Sequence, residues 1–106
     1  MVTKKQFSNF EEMLSYSNRP ILVNFYATWC GPCQLMTPIL EQVNAQMSDR
    51  VQIVKIDTDK YPNLASRYHI QALPTLVLFK GGQPVDRLEG VVQAPQLIQY
   101  LQSSLN

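Results

Sequence analysis

The chain has 106 residues, 45% hydrophobic and 16% charged, a balance that suits one compact domain over residues 1–106 burying roughly two-thirds of its unfolded surface. Its formal net charge is +1 and its nine lysines and arginines are scattered from Lys4 to Arg87, which excludes a nucleic-acid footprint and a polybasic membrane patch. No apolar stretch approaches the ~20 residues that span a bilayer, the N-terminus lacks a signal-peptide core, and two cysteines are too few for a disulfide scaffold.

In chain order, Val2 to Phe7 has weak strand character, and Ser8 with Glu11 fits a capping box ahead of a helix with Phe10, Met13 and Leu14 on one face. Pro20 ends that helix by pushing Arg19 away from the α region. Ile21 to Tyr26 is a nearly continuous apolar run, the mark of a strand covered on both sides. A helix is expected from Cys33 to about Met47, with Met36, Ile39, Leu40, Val43 and Met47 on its buried face and Pro38 as an internal kink. Val51 to Asp57 reads as a strand, with Asp57 and Asp59 expected to be solvated where it ends. A short helix from Pro62 to about Tyr68 turns Leu64 and Tyr68 inward, and His69 suits a positive-φ cap after it. Thr75 to Phe79 and Pro84 to Glu89 flank the Gly81-Gly82 hairpin signal. Gly90 closes the hairpin, and a last helix starts near Pro95 with Leu97, Ile98, Leu101 and Leu105 as its stripe. Alternating strands and helices followed by a hairpin point to an α/β fold, a central mixed sheet with helices on both faces.

The chemistry concentrates in Trp29-Cys30-Gly31-Pro32-Cys33, at the junction of the apolar strand and the long helix. A C-x-x-C in that setting reads as a redox pair. A thiolate at a helix N-terminus faces unsatisfied backbone N–H groups and the positive end of the dipole, so Cys30 is the candidate nucleophile and Cys33 the thiol that closes the ring. A zinc site fails on ligand count, since His69 is the sole histidine. No metal is expected, and no cofactor beyond the Cys30–Cys33 disulfide.

These residues, with Pro38, Lys55, Leu73-Pro74-Thr75, Phe79-Lys80-Gly81-Gly82 and Gly90, resemble the thioredoxin family nearly end to end. Asn24-Phe25-Tyr26-Ala27-Thr28 and the segment from Lys55 to Pro62 are similar to the y-type thioredoxins of photosynthetic organisms. The resemblance implies the thioredoxin fold and a monomeric reductase of protein disulfides. Its electrons would come from a thioredoxin reductase, NADPH- or ferredoxin-dependent. Its setting would be the cytoplasm, or the chloroplast stroma behind a removed transit peptide. The family's cis-proline falls on Pro74, where the backbone of Leu73 would pair with a substrate strand. Trp29, Gly31, Pro32, Leu73 and Gly90 would line the docking surface.

The chain departs from the family at Asn24, where a buried aspartate is usual and can take a proton from the second cysteine. Neutral Asn24 cannot act as that base, but can hold a water or a hydrogen bond near Cys33. Lys55 loses its counter-charge, leaving two readings: a buried lysine tuning the site, or a strand residue reaching for solvent. Glu89, where the family is usually apolar, puts a charge at the edge of the groove and disfavours acidic partners. The competing functions are a disulfide oxidase or isomerase, which Gly31-Pro32 disfavours, and a non-catalytic binding subunit.

Overall fold

The computed structural model describes residues 10–105. The strand expected over 2–7 and the Ser8 half of the capping box lie outside the described residues. The elements are α1 (Phe10–Tyr16), β1 (Ile21–Tyr26), α2 (Gly31–Met47), β2 (Gln52–Asp57), α3 (Pro62–Arg67), β3 (Thr75–Lys80), β4 (Gln83–Glu89) and α4 (Ala94–Ser104).

The strands form one mixed sheet in the order β2-β1-β3-β4, with β1 and β2 parallel and the other neighbours antiparallel. Period-two alternation sorts the apolar residues onto two faces. Ile21, Val23 and Phe25 of β1, with Val77 and Phe79 of β3, pack with Phe10, Met13 and Leu14 of α1. On the other face Leu22, Leu76 and Leu78 meet Met36, Leu40 and Val43 of α2 and Leu97 and Leu101 of α4. The architecture is therefore α/β, with helices flanking both faces.

Each core has its own chemistry. On the α1 side three rings meet edge-on: Phe10 with Phe79 at 5.5 Å, Phe10 with Tyr68 at 5.9 Å, and Tyr68 with Phe79 at 5.3 Å between centroids. Such pairs add about 0.5–1.5 kcal/mol each beyond the area they bury. Leu64 and Tyr68 do face inward, but remain half-buried, and α3 has no fully buried residue. On the α2 side the expected stripe, Met36, Ile39, Leu40, Val43 and Met47, is buried throughout. Pro38 sits within α2 and the helix runs on to Met47. In α4, Leu97 and Leu101 are buried with Ala94, while Ile98 and Leu105 are half-buried.

Two turns need unusual backbone. Gly81 and Gly82 have φ of 59° and 80°, the positive pair that a tight two-residue hairpin demands. His69 has φ of 55° after α3, where the N–H of Ile70 bonds back to the carbonyl of Ala65. Strand β4 carries a bulge opposite Leu78 and Phe79, close to Pro84, so its outer edge is interrupted. The Tyr100 hydroxyl donates to Asp86 at 2.6 Å, tying α4 to β4.

Candidate active site

Cys30 is the N-cap of α2, with φ −87° and ψ 111°, and its Sγ accepts the backbone N–H of Cys33 at 3.2 Å. The turn before it is closed by the N–H of Cys30 donating to the Ala27 carbonyl at 3.2 Å. Gly31 opens the helix and Pro32 follows in its first turn, where a missing N–H forfeits no helical hydrogen bond. The first turn contains no acidic residue. A negative sulfur at Cys30 therefore meets N–H dipoles and no opposing carboxylate within that turn. Cys30 and Cys33 are joined as a disulfide, with Cα atoms 5.3 Å apart.

Both cysteines are 5% exposed, so accessibility does not separate them. Their surroundings do. Cys30 borders a groove of about 420 Å³ lined by Trp29, Gly31, Pro32, Thr58, Ile70, Gln71 and Leu73. Cys33 borders a different, smaller pocket of about 180 Å³, with Asn24, Thr37 and Lys55 among its walls.

The groove brings together Trp29, Gly31, Pro32 and Leu73, as the sequence suggested. The Leu73–Pro74 bond is cis, and Pro74 is buried beneath the surface. The Thr75 hydroxyl donates to the Ala72 carbonyl at 2.6 Å and helps shape this bend. Gly90 is not a wall of the groove. Its N–H donates to the Pro74 carbonyl at 2.9 Å, so it braces the bend with φ of 91°. Glu89 is exposed next to it, and its carboxylate lies 4.0 Å from Arg87.

Trp29 is 71% exposed, and its indole N–H donates to the Asp59 carboxylate at 2.8 Å. Asp59 is in turn placed by its own N–H, which donates to Asp57 at 2.9 Å. Here the sequence expectation is corrected: Asp57 is not solvated but only 7% exposed, because its carboxylate caps the turn beyond β2. Thr58, Asp59, Ile70 and Gln71 were not foreseen at the site. Their signal is weak, since each joins it through a loop packed from elsewhere in the chain.

Asn24 is 2% exposed, on the α2 face of β1, and its Oδ1 has no hydrogen-bond partner. Lys55 is its register partner on β2. Of the two readings of Lys55, the buried one is overturned. The side chain is exposed, and its ammonium lies 4.8 Å from the centre of the Tyr26 ring, which replaces the missing counter-charge by a cation–π contact.

A larger cavity of about 720 Å³, between α1 and the hairpin, contains no sulfur. Its arginines are occupied: Arg67 pairs with Glu11, and Arg87 bonds the carbonyls of Tyr68 and His69.

A disulfide at a helix mouth beside a groove narrows the choice of family, and comparison decides it. The thioredoxin family model matches residues 1–103. The chain belongs to the thioredoxin family. It is 68% identical over 102 residues to a thioredoxin-like protein of Synechocystis sp., covering 96% of this chain and 97% of that relative. It is 55% identical over 102 residues to the chloroplastic thioredoxin Y1 of Arabidopsis thaliana and to the chloroplastic thioredoxin Y of Oryza sativa. Those alignments cover 96% of this chain but 59% and 61% of the plant proteins. Against another thioredoxin of Synechocystis sp. the identity falls to 42% over 98 residues, 92% of each chain. This thioredoxin is therefore y-type-like, and its Cys30–Cys33 couple is that of a thiol–disulfide oxidoreductase.

Proposed function

We propose that the chain reduces disulfides in protein substrates, with Cys30 as the attacking thiolate, Cys33 as the resolving thiol and no redox group beyond this pair. The observation that supports it best is Cys30 Sγ at the N-cap of α2, facing the Cys33 N–H and bordering the groove.

In the first exchange the Cys30 thiolate attacks one sulfur of the substrate disulfide, and the other leaves as a thiolate. Cys33 then gives up its proton and attacks Cys30 Sγ. The mixed disulfide breaks, the second substrate thiolate departs, and the Cys30–Cys33 bond is restored. A thioredoxin reductase, NADPH- or ferredoxin-dependent, returns two electrons to it. The substrate strand pairs with the backbone of Leu73, beside Trp29, Gly31, Pro32 and the Pro74–Gly90 brace, so main-chain hydrogen bonds rather than charge set its orientation. The work is done by a monomer in the cytoplasm, or in the stroma of a chloroplast, without nucleic acid or membrane.

Cysteine replacement is the test. Cys33→Ser is expected to accumulate a mixed disulfide with substrate, visible by mass spectrometry, and Cys30→Ser to abolish reduction. Reduction that survives in the Cys30→Ser, Cys33→Ser double variant would leave a binding subunit as the better reading.

A further inference from the structure

The groove has a firm side and a lightly anchored one. Its firm side is the start of α2 around Cys30 and Pro32, and the buried stripe of that helix packs on the sheet. Its other lining residues include Thr58, Ile70 and Gln71, which come from a stretch, Thr58 to Leu73, where no residue is fully buried. Few buried apolar contacts mean low local stability, so the placing of these residues depends on individual ties. Both ends are tied. The Thr58 N–H donates to the Tyr26 carbonyl at 2.9 Å, Asp59 accepts the Trp29 indole, and the Thr75 hydroxyl donates to the Ala72 carbonyl at 2.6 Å. In between, the Tyr68 ring packs on Phe10 and Phe79, and Arg67 pairs with Glu11 where both are half exposed. An ion pair in that much water contributes little.

A further tie starts from the sheet. Arg87 lies on β4 opposite Val77 of β3, and its guanidinium donates to the carbonyl of Tyr68 and, at 3.1 Å, to that of His69. Carbonyls beyond the last turn of a helix need donors from outside it, and a planar fork can serve two at once. His69 is a kink: with φ of 55° it turns the chain out of α3, and the next two residues, Ile70 and Gln71, line the groove. We propose that Arg87 is a positioning residue for substrate binding, which grips the kink at His69 from the edge strand and so pre-sets the Ile70–Gln71 wall against which a protein disulfide docks. Arg87 is itself outside the lining of the groove and acts through that segment. The inference rests on the reading of this groove as the docking surface for protein substrates.

The experiment compares the full wild-type chain with Arg87→Met and Arg87→Lys, dithiothreitol supplying the electrons. Methionine keeps an unbranched stem but has no donor, and lysine keeps the charge without the fork. Two disulfides are offered: insulin, a protein that must lie across the groove, and oxidised glutathione, too small to need its far wall. In Arg87→Met, KM for insulin is expected to rise about tenfold with kcat unchanged, because a wall that is ordered only on docking costs binding and not chemistry. The rate with oxidised glutathione should stay at the wild-type value, and Arg87→Lys should fall between wild type and Arg87→Met. Amide hydrogen exchange follows the segment itself. Ile70 and Gln71 should exchange about tenfold faster in Arg87→Met, with the amides of β1 and α2 unchanged. A wild-type KM for insulin in Arg87→Met overturns the assignment, and so does unchanged exchange at Ile70 and Gln71. Equal losses with both disulfides would reveal general damage to the fold and overturn it too. A wild-type chain that reduces neither disulfide overturns the reductase reading itself, and this inference with it.

Discussion

Replacing Asp59 by alanine removes the acceptor of the Trp29 indole N–H, a 2.8 Å hydrogen bond at the rim of the groove. Trp29 is 71% exposed, so little packing holds the ring once that bond is gone. The freed N–H returns to water, and fold stability should change by no more than about 0.5 kcal/mol, as for other surface positions. Docking is another matter. A ring that is loose in the free protein must be immobilised when a partner binds, at about 0.5–1.5 kcal/mol per side chain. Taking about 1 kcal/mol, KM for a protein disulfide should rise about fivefold, with kcat unchanged because the exchange itself uses only the two sulfurs. Asp59→Asn serves as the control, since it removes the charge but keeps an acceptor oxygen, and it should stay near wild type. Trp29 is the only tryptophan, so its fluorescence anisotropy reports the ring directly, and it should fall in Asp59→Ala. A normal KM in Asp59→Ala despite a mobile ring, or a loss confined to kcat, would refute a pre-set docking face.

Asn24→Asp places a carboxyl where the native side chain is 2% exposed, so burial disfavours its ionised form and the folded protein holds its proton above the pH where the unfolded chain releases it. Stability should therefore be near that of wild type at about pH 4 and decline as pH rises, by at most about 1.4 kcal/mol per pH unit, which urea midpoints at acid and neutral pH will show. A deficit that does not grow with pH defeats that reasoning. Where that carboxyl has ionised the variant gains a proton acceptor in the pocket that Cys33 borders, so single-turnover release from a trapped mixed disulfide should outpace wild type increasingly as pH rises, and an equal rate at every pH would count against it. Burial and the hydrogen bond to Asp86 push the Tyr100 phenol up to about 12. Its proton is held more tightly in the folded state, so this group's contribution is intact below about pH 10 and lost as pH rises towards about 12. Tyr100→Phe should flatten that alkaline decline in thermal melts, and a profile identical to wild type would show that the Asp86 contact does not matter to it.

The elements read most easily were those whose signal is local. Ile21 to Tyr26 is apolar enough to declare a strand covered on both faces, and Gly81-Gly82 marks a hairpin because only a residue free of Cβ adopts two successive positive φ values at little cost. Cys30 and Cys33 were legible as a site because a strand end, a two-residue spacing and a helix start coincide there. Asn24 was also visible, as the one polar residue inside that run. What stayed hidden depends on residues distant in sequence. Trp29 and Asp59 are 30 positions apart, and nothing in either segment announces the other. Asp57 was misjudged because a carboxylate at a strand end is usually solvated, whereas here the following turn folds back onto it. The surroundings of Lys55 were not legible because Ile53 and Asp57, on its own face of β2, are buried while Lys55 between them is exposed, a difference that only the packed sheet reveals.

The two hollows that flank the couple divide traffic between them. A macromolecule lying across Trp29 and Leu73 covers the groove at Cys30, whereas the hollow at Cys33, walled by Thr37 and Lys55, shares no lining residue with it. Solvent and small ions thus keep a back door while the front is occupied. A client that covers the whole front face need not loosen its grip for the second half of the turnover to draw on bulk water.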